Sequence, residues 1–370
     1  MFVMALKNGE RKMNQFVPKL FDCMKSYTKE QFVKDVVSGI IVAIIALPLS
    51  IALALASGVG PEQGIYTAIF AGFVISFLGG SNVQIAGPTA AFATIVAGIV
   101  AKNGMSGLAA ATIMAGILLI IMGFLKLGNL IRFIPYTITT GFTFGIAVTI
   151  LVGQIKDFLG LTFTNSPIDT VDKVKECINC IGTFNYQALI VGVVALAILI
   201  IFPKITEKIP PSLIAVIVTI VMVKMLKMDV KTIGDLYTIS NKLPSVSLPS
   251  INFTMIRELF PDALTIAVLA GIESLLSCVV ADGMVGSRHK PNMELVAQGA
   301  GNVVSALFGG IPATGAIART AANIKRADEL RLQVWYIQSR FYLYLLFLCH
   351  MRHGFQCLQL RRFFLWLHIT

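Results

Sequence analysis

The chain has 370 residues, of which 56% are apolar and only 13% charged, with a mean hydropathy of +0.80. Soluble globular domains carry about 25% charged and 45–50% apolar residues, so this composition excludes a cytosolic enzyme, a disordered chain and a nucleic-acid binder. What remains is an all-α polytopic membrane protein, in which a formal net charge of +11 reports topology before it reports a partner.

Residues 1–35 form an N-terminal arm with seven Lys/Arg and four Asp/Glu, and the next 22 residues, 36–57, carry no charge. That run is long enough to cross a hydrocarbon core of ~30 Å and lacks the short apolar core of a signal peptide, so it reads as a retained first helix. Within it Gly39, Ala43, Ala46, Ser50 and Ala54 make a small-residue stripe suited to close helix packing, and Pro48 is expected to kink the helix. Further candidate spans follow at 64–80, 83–101, 106–127, 134–160, 186–203, 210–228, 262–282, 292–309 and 311–324, about ten segments in all. All are expected to be helical, because alternating ten-residue strands are absent.

Two of these spans are interrupted. Segment 83–101 has Gly87-Pro88 near its start, and 311–324 follows Gly309-Gly310-Ile311-Pro312. Gly and Pro there predict discontinuous helices whose first parts are extended backbone. Lys126 and Arg132, Lys204 and Lys208, and Arg288 and Lys290 fall in turns on the same side as the basic arm, which the positive-inside rule makes cytoplasmic. The two broken helices then enter from opposite faces. Facing each other, their N-termini would present about +0.5 charge each together with unpaired N–H groups, a setting for an anion.

Few ionisable side chains lie inside the spans. Glu273, near the centre of 262–282, reads as a coupling carboxylate, or as a structural one paired with a neighbouring helix. Ser277 lies one turn on, where its hydroxyl can bond Glu273 or coordinate an ion. Arg319 adds a permanent positive charge to the helix-end site, or snorkels from a helix end to the headgroups. Gln84 is either part of the broken stretch's chemistry or an ordinary helix contact. Asp262 and Asp282 bracket the Glu273 helix as its interfacial ends. Cys177-Ile-Asn-Cys180 lies in an exported loop, where a disulfide is the alternative to free thiols; no further ligands at zinc spacing are near. No metal or cofactor is expected, and no Walker A motif, nucleophile elbow or HExxH occurs, so the chain reads as a non-enzyme.

Several stretches carry a family resemblance. Asp35-Val-Val-Ser-Gly-Ile-Ile-Val-Ala-Ile-Ile-Ala-Leu-Pro, Gly58-Val-Gly-Pro-Glu-Gln-Gly-Ile-Tyr-Thr-Ala and Gly79-Gly-Ser-Asn-Val-Gln-Ile-Ala-Gly-Pro-Thr-Ala-Ala-Phe lie in the first half. Ile272-Glu-Ser-Leu-Leu-Ser-Cys-Val-Val-Ala-Asp, Arg288-His-Lys-Pro-Asn-Met-Glu-Leu-Val-Ala-Gln-Gly and Thr314-Gly-Ala-Ile-Ala-Arg-Thr-Ala lie in the second. In this order, from about residue 30 to 326, they resemble the SulP sulfate-permease family. The resemblance implies a secondary anion transporter with a 7+7 inverted-repeat fold whose third and tenth helices meet at the anion site. By position, Thr89 and Ala90 would line that site from the third helix, and Ala316, Ile317, Ala318 and Arg319 from the tenth. Glu273 and Ser277 would hold the coupling position. Relatives with Asp in place of Glu273 look sodium-coupled, and Glu looks more like proton coupling. Sulfate is the expected substrate, with bicarbonate or a small dicarboxylate next, in the plasma (inner) membrane with the N-terminus cytoplasmic. A homodimer is a further possibility the family raises. Leu49 stands where animal relatives often have Gln, which removes one polar contact and leaves substrate identity open.

After residue 326 the pattern breaks. Residues 331–370 hold five Arg and no acidic residue, and their longest apolar run, 341–349, is too short to span. The expectation is a transport domain over 36–326 with an incomplete second repeat, no STAS domain, and an aberrant tail from 327 to 370. A shifted reading frame accounts for such a tail, with an interfacial segment as the alternative. Two rival functions accompany this reading: a non-transporting membrane fragment, and a nucleobase permease of related fold. The expected cycle moves helices 1–4 and 8–10 against 5–7.

Overall fold

The computed structural model describes residues 16–23, 28, 39, 43, 46–133, 136–165, 167–206, 211–230, 232, 237, 244–249 and 252–326. Most of the arm and of residues 36–45, together with the tail 327–370, lie outside the described residues. The chain divides into two compact units, Met1–Thr139 with Pro244–Tyr344, and Thr140–Leu243 with Leu345–Thr370.

In the first unit the elements run α1 (Lys19–Cys23), α2 (Ala46–Ala56) and α3, the last made of Pro61–Tyr66, a π-helical turn Thr67–Ala71 and Gly72–Leu78. Strand β1 (Ala86–Pro88) and a 3-10 turn (Ala90–Phe92) lead into α4 (Ala93–Phe124). Helix α4 covers two predicted spans, and its backbone leaves helical geometry at Gly104, where φ is 66°. Glycine tolerates that left-handed conformation, so the chain turns there. The second unit contains α5 (Tyr136–Phe158) from Thr140 onward, α6 (Thr170–Asn179), α7 (Tyr186–Ile205) and α8 (Pro211–Met225). The first unit resumes with α9 (Phe253–Val285), α10 (Pro291–Leu307), β2 (Ala313–Gly315) and α11 (Ile317–Arg326).

Among the described residues three helices are long and apolar enough to cross a membrane: Ala90–Phe124, Tyr186–Ile205 and Phe253–Val285. Helix α9 begins nine residues before the predicted span and carries Pro261 inside it. Hydropathy reads only its apolar part, because Arg257 and Glu258 depress the earlier turns. Asp262, predicted as an interfacial end, therefore lies within the helix. Asp282 is in the last turn, where it accepts from the His289 amide at 2.9 Å and Ser287 Oγ at 2.9 Å and meets His289 Nδ1 at 2.6 Å.

The core of the first unit joins Phe92, Val96, Leu108 and Leu119 to Leu259, Ile266 and Leu275 of α9 and Leu295 of α10. The predicted stripe behaves as close packing: Ala43, Ala46, Ser50 and Ala54 are each no more than 1% exposed. Between α4 and α10 two backbones touch. A Cβ on Gly116 would stand 2.7 Å from the Gly299 carbonyl oxygen, and one on Gly299 would strike the Gly116 carbonyl. Gly299→Ala is thus expected to overpack this crossing at a cost of about 1–3 kcal/mol, visible as a lower melting temperature in detergent. The segment before the first span is strapped to the same unit. Lys290 Nζ reaches Asp22 Oδ2 at 2.7 Å and the Val17 carbonyl at 3.0 Å, and the Lys19 amide donates to Gly79 O at 3.0 Å.

In the second unit Asn185 caps α7 by accepting from Gln187 N at 2.9 Å and Ala188 N at 3.4 Å. Cys177 and Cys180 are free thiols, so the disulfide alternative is not formed. Glu176 accepts from the Asn165 amide at 3.0 Å and the Thr164 amide at 3.2 Å, with Cys180 Sγ at 3.6 Å. The Asn165 N–H foremost, then the Cys180 thiol and Thr164, hold this carboxylate below its ordinary 4.5. A depressed acid stabilises the fold above its unfolded value and loses that contribution as pH falls through the depressed one. Glu176→Gln should speed amide exchange at Thr164 and Asn165 at neutral pH and remove the acid-induced opening of this loop below about pH 4.5.

Candidate functional site

The site grows from two extended tripeptides, one ending in Pro88 and the other following Pro312. Pro88 has no N–H to donate and its ring disfavours helical geometry at Gly87; Pro312 restricts Ile311 in the same way. The chain passes both points extended, and the two extended pieces pair antiparallel with Ala86 opposite Gly315, Gly87 opposite Thr314 and Pro88 opposite Ala313. Antiparallel pairing sends the two following helices off in opposite directions and leaves both of their N-termini at the pair. The surroundings satisfy several of the neighbouring backbone groups. Asn302 on α10 takes both sides of Ala313, its Oδ1 accepting from the amide at 2.8 Å and its Nδ2 donating to the carbonyl at 2.8 Å. Ala316 N donates to Ile85 O at 2.9 Å, Thr320 Oγ1 accepts from Ile85 N at 3.1 Å, and Asn323 Nδ2 donates to Val83 O at 3.1 Å. Thr314 Oγ1 ties β2 to the Ala270 carbonyl of α9 at 3.0 Å. At the π-helical turn of α3, Thr67 Oγ1 accepts from Ile311 N at 2.7 Å, so the turn grips the approach to β2.

Thr89 has extended geometry at the entry to the 3-10 turn, and its hydroxyl donates to Glu273 Oε2 at 3.1 Å instead of capping the helix. A predicted lining residue and the predicted coupling carboxylate are thereby bonded to each other. Glu273 is 9% exposed. Arg319 is 4% exposed and donates from Nη2 to the Pro88 carbonyl at 3.1 Å, so it does not snorkel to a headgroup. Its guanidinium lies against Gly87, where a Cβ would collide with Nη1. Arg319 on the second broken helix thus reaches the strand of the first, and its charge falls within electrostatic range of Glu273.

The other predicted residues surround this point. Ala90 opens the 3-10 turn, Ala316 is buried beside Ile85, and Ile317 and Ala318 make up the first turn of α11. Ser277 bonds Thr320 Oγ1 at 3.4 Å, its hydroxyl directed to α11. Gln84 is no passive contact: its Nε2 donates to Ser274 Oγ at 3.0 Å and Ser274 O at 3.2 Å, and the Cys278 thiol donates to its Oε1. Sequence reading missed Thr320, Asn302, Ser274 and Glu294. The last is a second buried carboxylate, 1% exposed, accepting from Gly80 N at 2.8 Å, Gln298 Nε2 at 2.9 Å and Ser274 Oγ at 3.1 Å. Its signal was a polar stripe on an apolar helix: Glu294, Gln298 and Asn302 recur every four residues.

Two discontinuous helices crossing among apolar ones are the architecture of a multi-pass membrane protein of the carrier type. Residues 32–332 match the family model of the sulfate permease family, and the chain belongs to that family. It is 45% identical over 303 residues to YvdB of Bacillus subtilis (strain 168), a candidate sulfate transporter, covering 81% of this chain and 57% of that one. It is 33% identical to the bicarbonate transporter BicA of Picosynechococcus sp., covering 80% of this chain and 54% of that one. The chain thus spans little more than half the length of these relatives. The transmembrane domain of a cyanobacterium bicarbonate transporter BicA superposes with a TM-score of 0.77 at 29% identity, over 86% of this chain and 83% of that one. Murine Slc26a9, an anion transporter in the inward-facing state, has the same fold at a TM-score of 0.77 and 17% identity, over 96% of this chain and 66% of that one.

Proposed function

We propose that this chain is the membrane part of a secondary active transporter of small anions, with sulfate as first substrate, bicarbonate next, and a proton as the coupling ion. The observation that carries the reading is the β1–β2 pair, which leaves two helix N-termini and one buried guanidinium at a common point. Each N-terminus contributes about +0.5 charge and unpaired amides. A small oxyanion, with acceptors on every side, is the ligand such donors suit. The sulfate and bicarbonate transporters among its relatives support that substrate class.

In this proposal Arg319 holds the anion's charge, Thr89 and Ala90 line it from one broken helix, and Ala316, Ile317 and Ala318 from the other. Glu273 takes up the proton, and its bond to Thr89 connects protonation to the anion-lining segment that follows β1. Ser277, through Thr320, ties the coupling helix to α11. The division of the chain into two compact units supports a cycle in which one moves as a body. The loop charges support a cytoplasmic N-terminus.

The test is uptake of radiolabelled sulfate into proteoliposomes holding the 370-residue chain, with an inward proton gradient. Saturable uptake, competed by bicarbonate and insensitive to uracil, is expected. Competition by uracil would turn the reading to a nucleobase permease, and absence of saturable uptake to a non-transporting fragment.

A further inference from the structure

We infer that Glu294 is a positioning residue for the anion site, acting on the β1–β2 crossing through Ser274 and Gln84. This rests on the transport reading above. Among the described residues Glu294 forms no ion pair, and neutral donors from three elements hold its two oxygens. Such a carboxylate is retained at the cost of desolvation, and a hydrogen-bonded neutral replacement would be cheaper if fold alone were served.

The wiring of its bonds shows what it holds. Oε2 accepts from the amide of Gly80, at the turn where the chain heads into β1. Oε1 accepts from Ser274, the neighbour in sequence of Glu273, and fixes the rotation of α9 about its own axis at the level of Thr89. Because Ser274 Oγ spends its one proton on Glu294, its lone pairs are left to accept from Gln84 Nε2 at 3.0 Å. Gln84 in turn packs against β2, since a Cβ on Gly315 would fall onto its Nε2. The order of donors is therefore imposed from Glu294: a group there that donated to Ser274 would reverse the hydroxyl and turn the Gln84 amide away from Gly315. The charge of Glu294 sets the direction of a relay ending at the crossing of the two strands.

The experiment is Glu294→Gln in the full chain, reconstituted, with uptake measured over a range of anion concentration. A hydrogen bond to a buried charge is worth enough for a KM rise of about tenfold at a nearly unchanged maximal rate. Ser274→Ala should raise KM similarly, and the double variant should add little to either single one. The exchanged pair E294Q/Q298E keeps the α10 charge and the i, i+4 bond but takes the acceptor away from Ser274, so it should not rescue KM. A fall in maximal rate at unchanged KM, additive effects, or rescue by the exchanged pair would overturn the inference. Should wild-type vesicles take up neither sulfate nor bicarbonate, the transport reading fails separately. Hydrogen exchange then decides the relay. Glu294→Gln accelerates exchange at 85–87 and 313–316 if the relay is real, and leaves 313–316 unchanged if it is not.

Discussion

Replacing Arg319 by alanine is expected to abolish saturable anion uptake, with a loss of at least about thirtyfold in apparent affinity. Truncating one partner of a buried, hydrogen-bonded charge costs about 2–5 kcal/mol, and in the proposed site the other partner is the anion. Two features sharpen the expectation. The guanidinium bonds the Pro88 carbonyl, so the variant also removes one of the bonds that join the two broken helices. It lies on Gly87, where no side chain competes for the space. Arg319→Lys keeps the charge but gives up the planar fork, and it should recover only part of the affinity. Gly87→Ala, placing a methyl group against the guanidinium, should reproduce much of the Arg319→Ala defect while leaving the charge in place. If Arg319→Ala vesicles took up sulfate with unchanged affinity, the residue would be no more than a strut.

The second large effect is expected at Glu273. In Glu273→Gln the amide oxygen can still accept from Thr89 Oγ1, so the 3.1 Å bond survives while the titrating group is gone. Uptake driven by a proton gradient should fall to the leak of empty vesicles, and the pH dependence of exchange should flatten. Exchange of external for internal anion should persist, because it needs the binding site and not the coupling proton. Uptake with an unchanged pH profile would remove Glu273 from the coupling step. Thr89→Val, which deletes the donor and keeps the shape, should weaken coupling less than Glu273→Gln does.

Much of this was legible from residue order. The apolar runs locate α4, α7 and α9 because membrane helices must satisfy their own backbone and show lipid an uncharged surface. Gly87-Pro88 and Ile311-Pro312 announce the broken helices because proline removes a ladder hydrogen bond and disfavours helical geometry in the residue before it. What the sequence leaves undecided is anything needing a partner across the chain. Arg319 near a helix end reads as a site residue or as a snorkel, and the Pro88 carbonyl, 231 residues away, removes the snorkel. That the two breaks pair, and in which register, follows from three-dimensional closure and not from local pattern. Glu294 hides because an acid in the first turn of a helix is ordinary dipole chemistry, here following Pro291. The start of α9 hides for another reason: Arg257, Glu258 and Pro261 look like a boundary, yet the helix runs through them.

The pairing of β1 with β2 also has a consequence for biosynthesis. Strand β1 leaves the ribosome about 225 residues before its partner. At 5–20 residues per second that is a wait of roughly 10–45 s. An unpaired backbone group in hydrocarbon costs several kcal/mol, so β1 cannot pass that interval facing lipid. The helices around it must stay beside water or protein until Ala313–Gly315 arrives, and the first half of the molecule enters the bilayer unfinished.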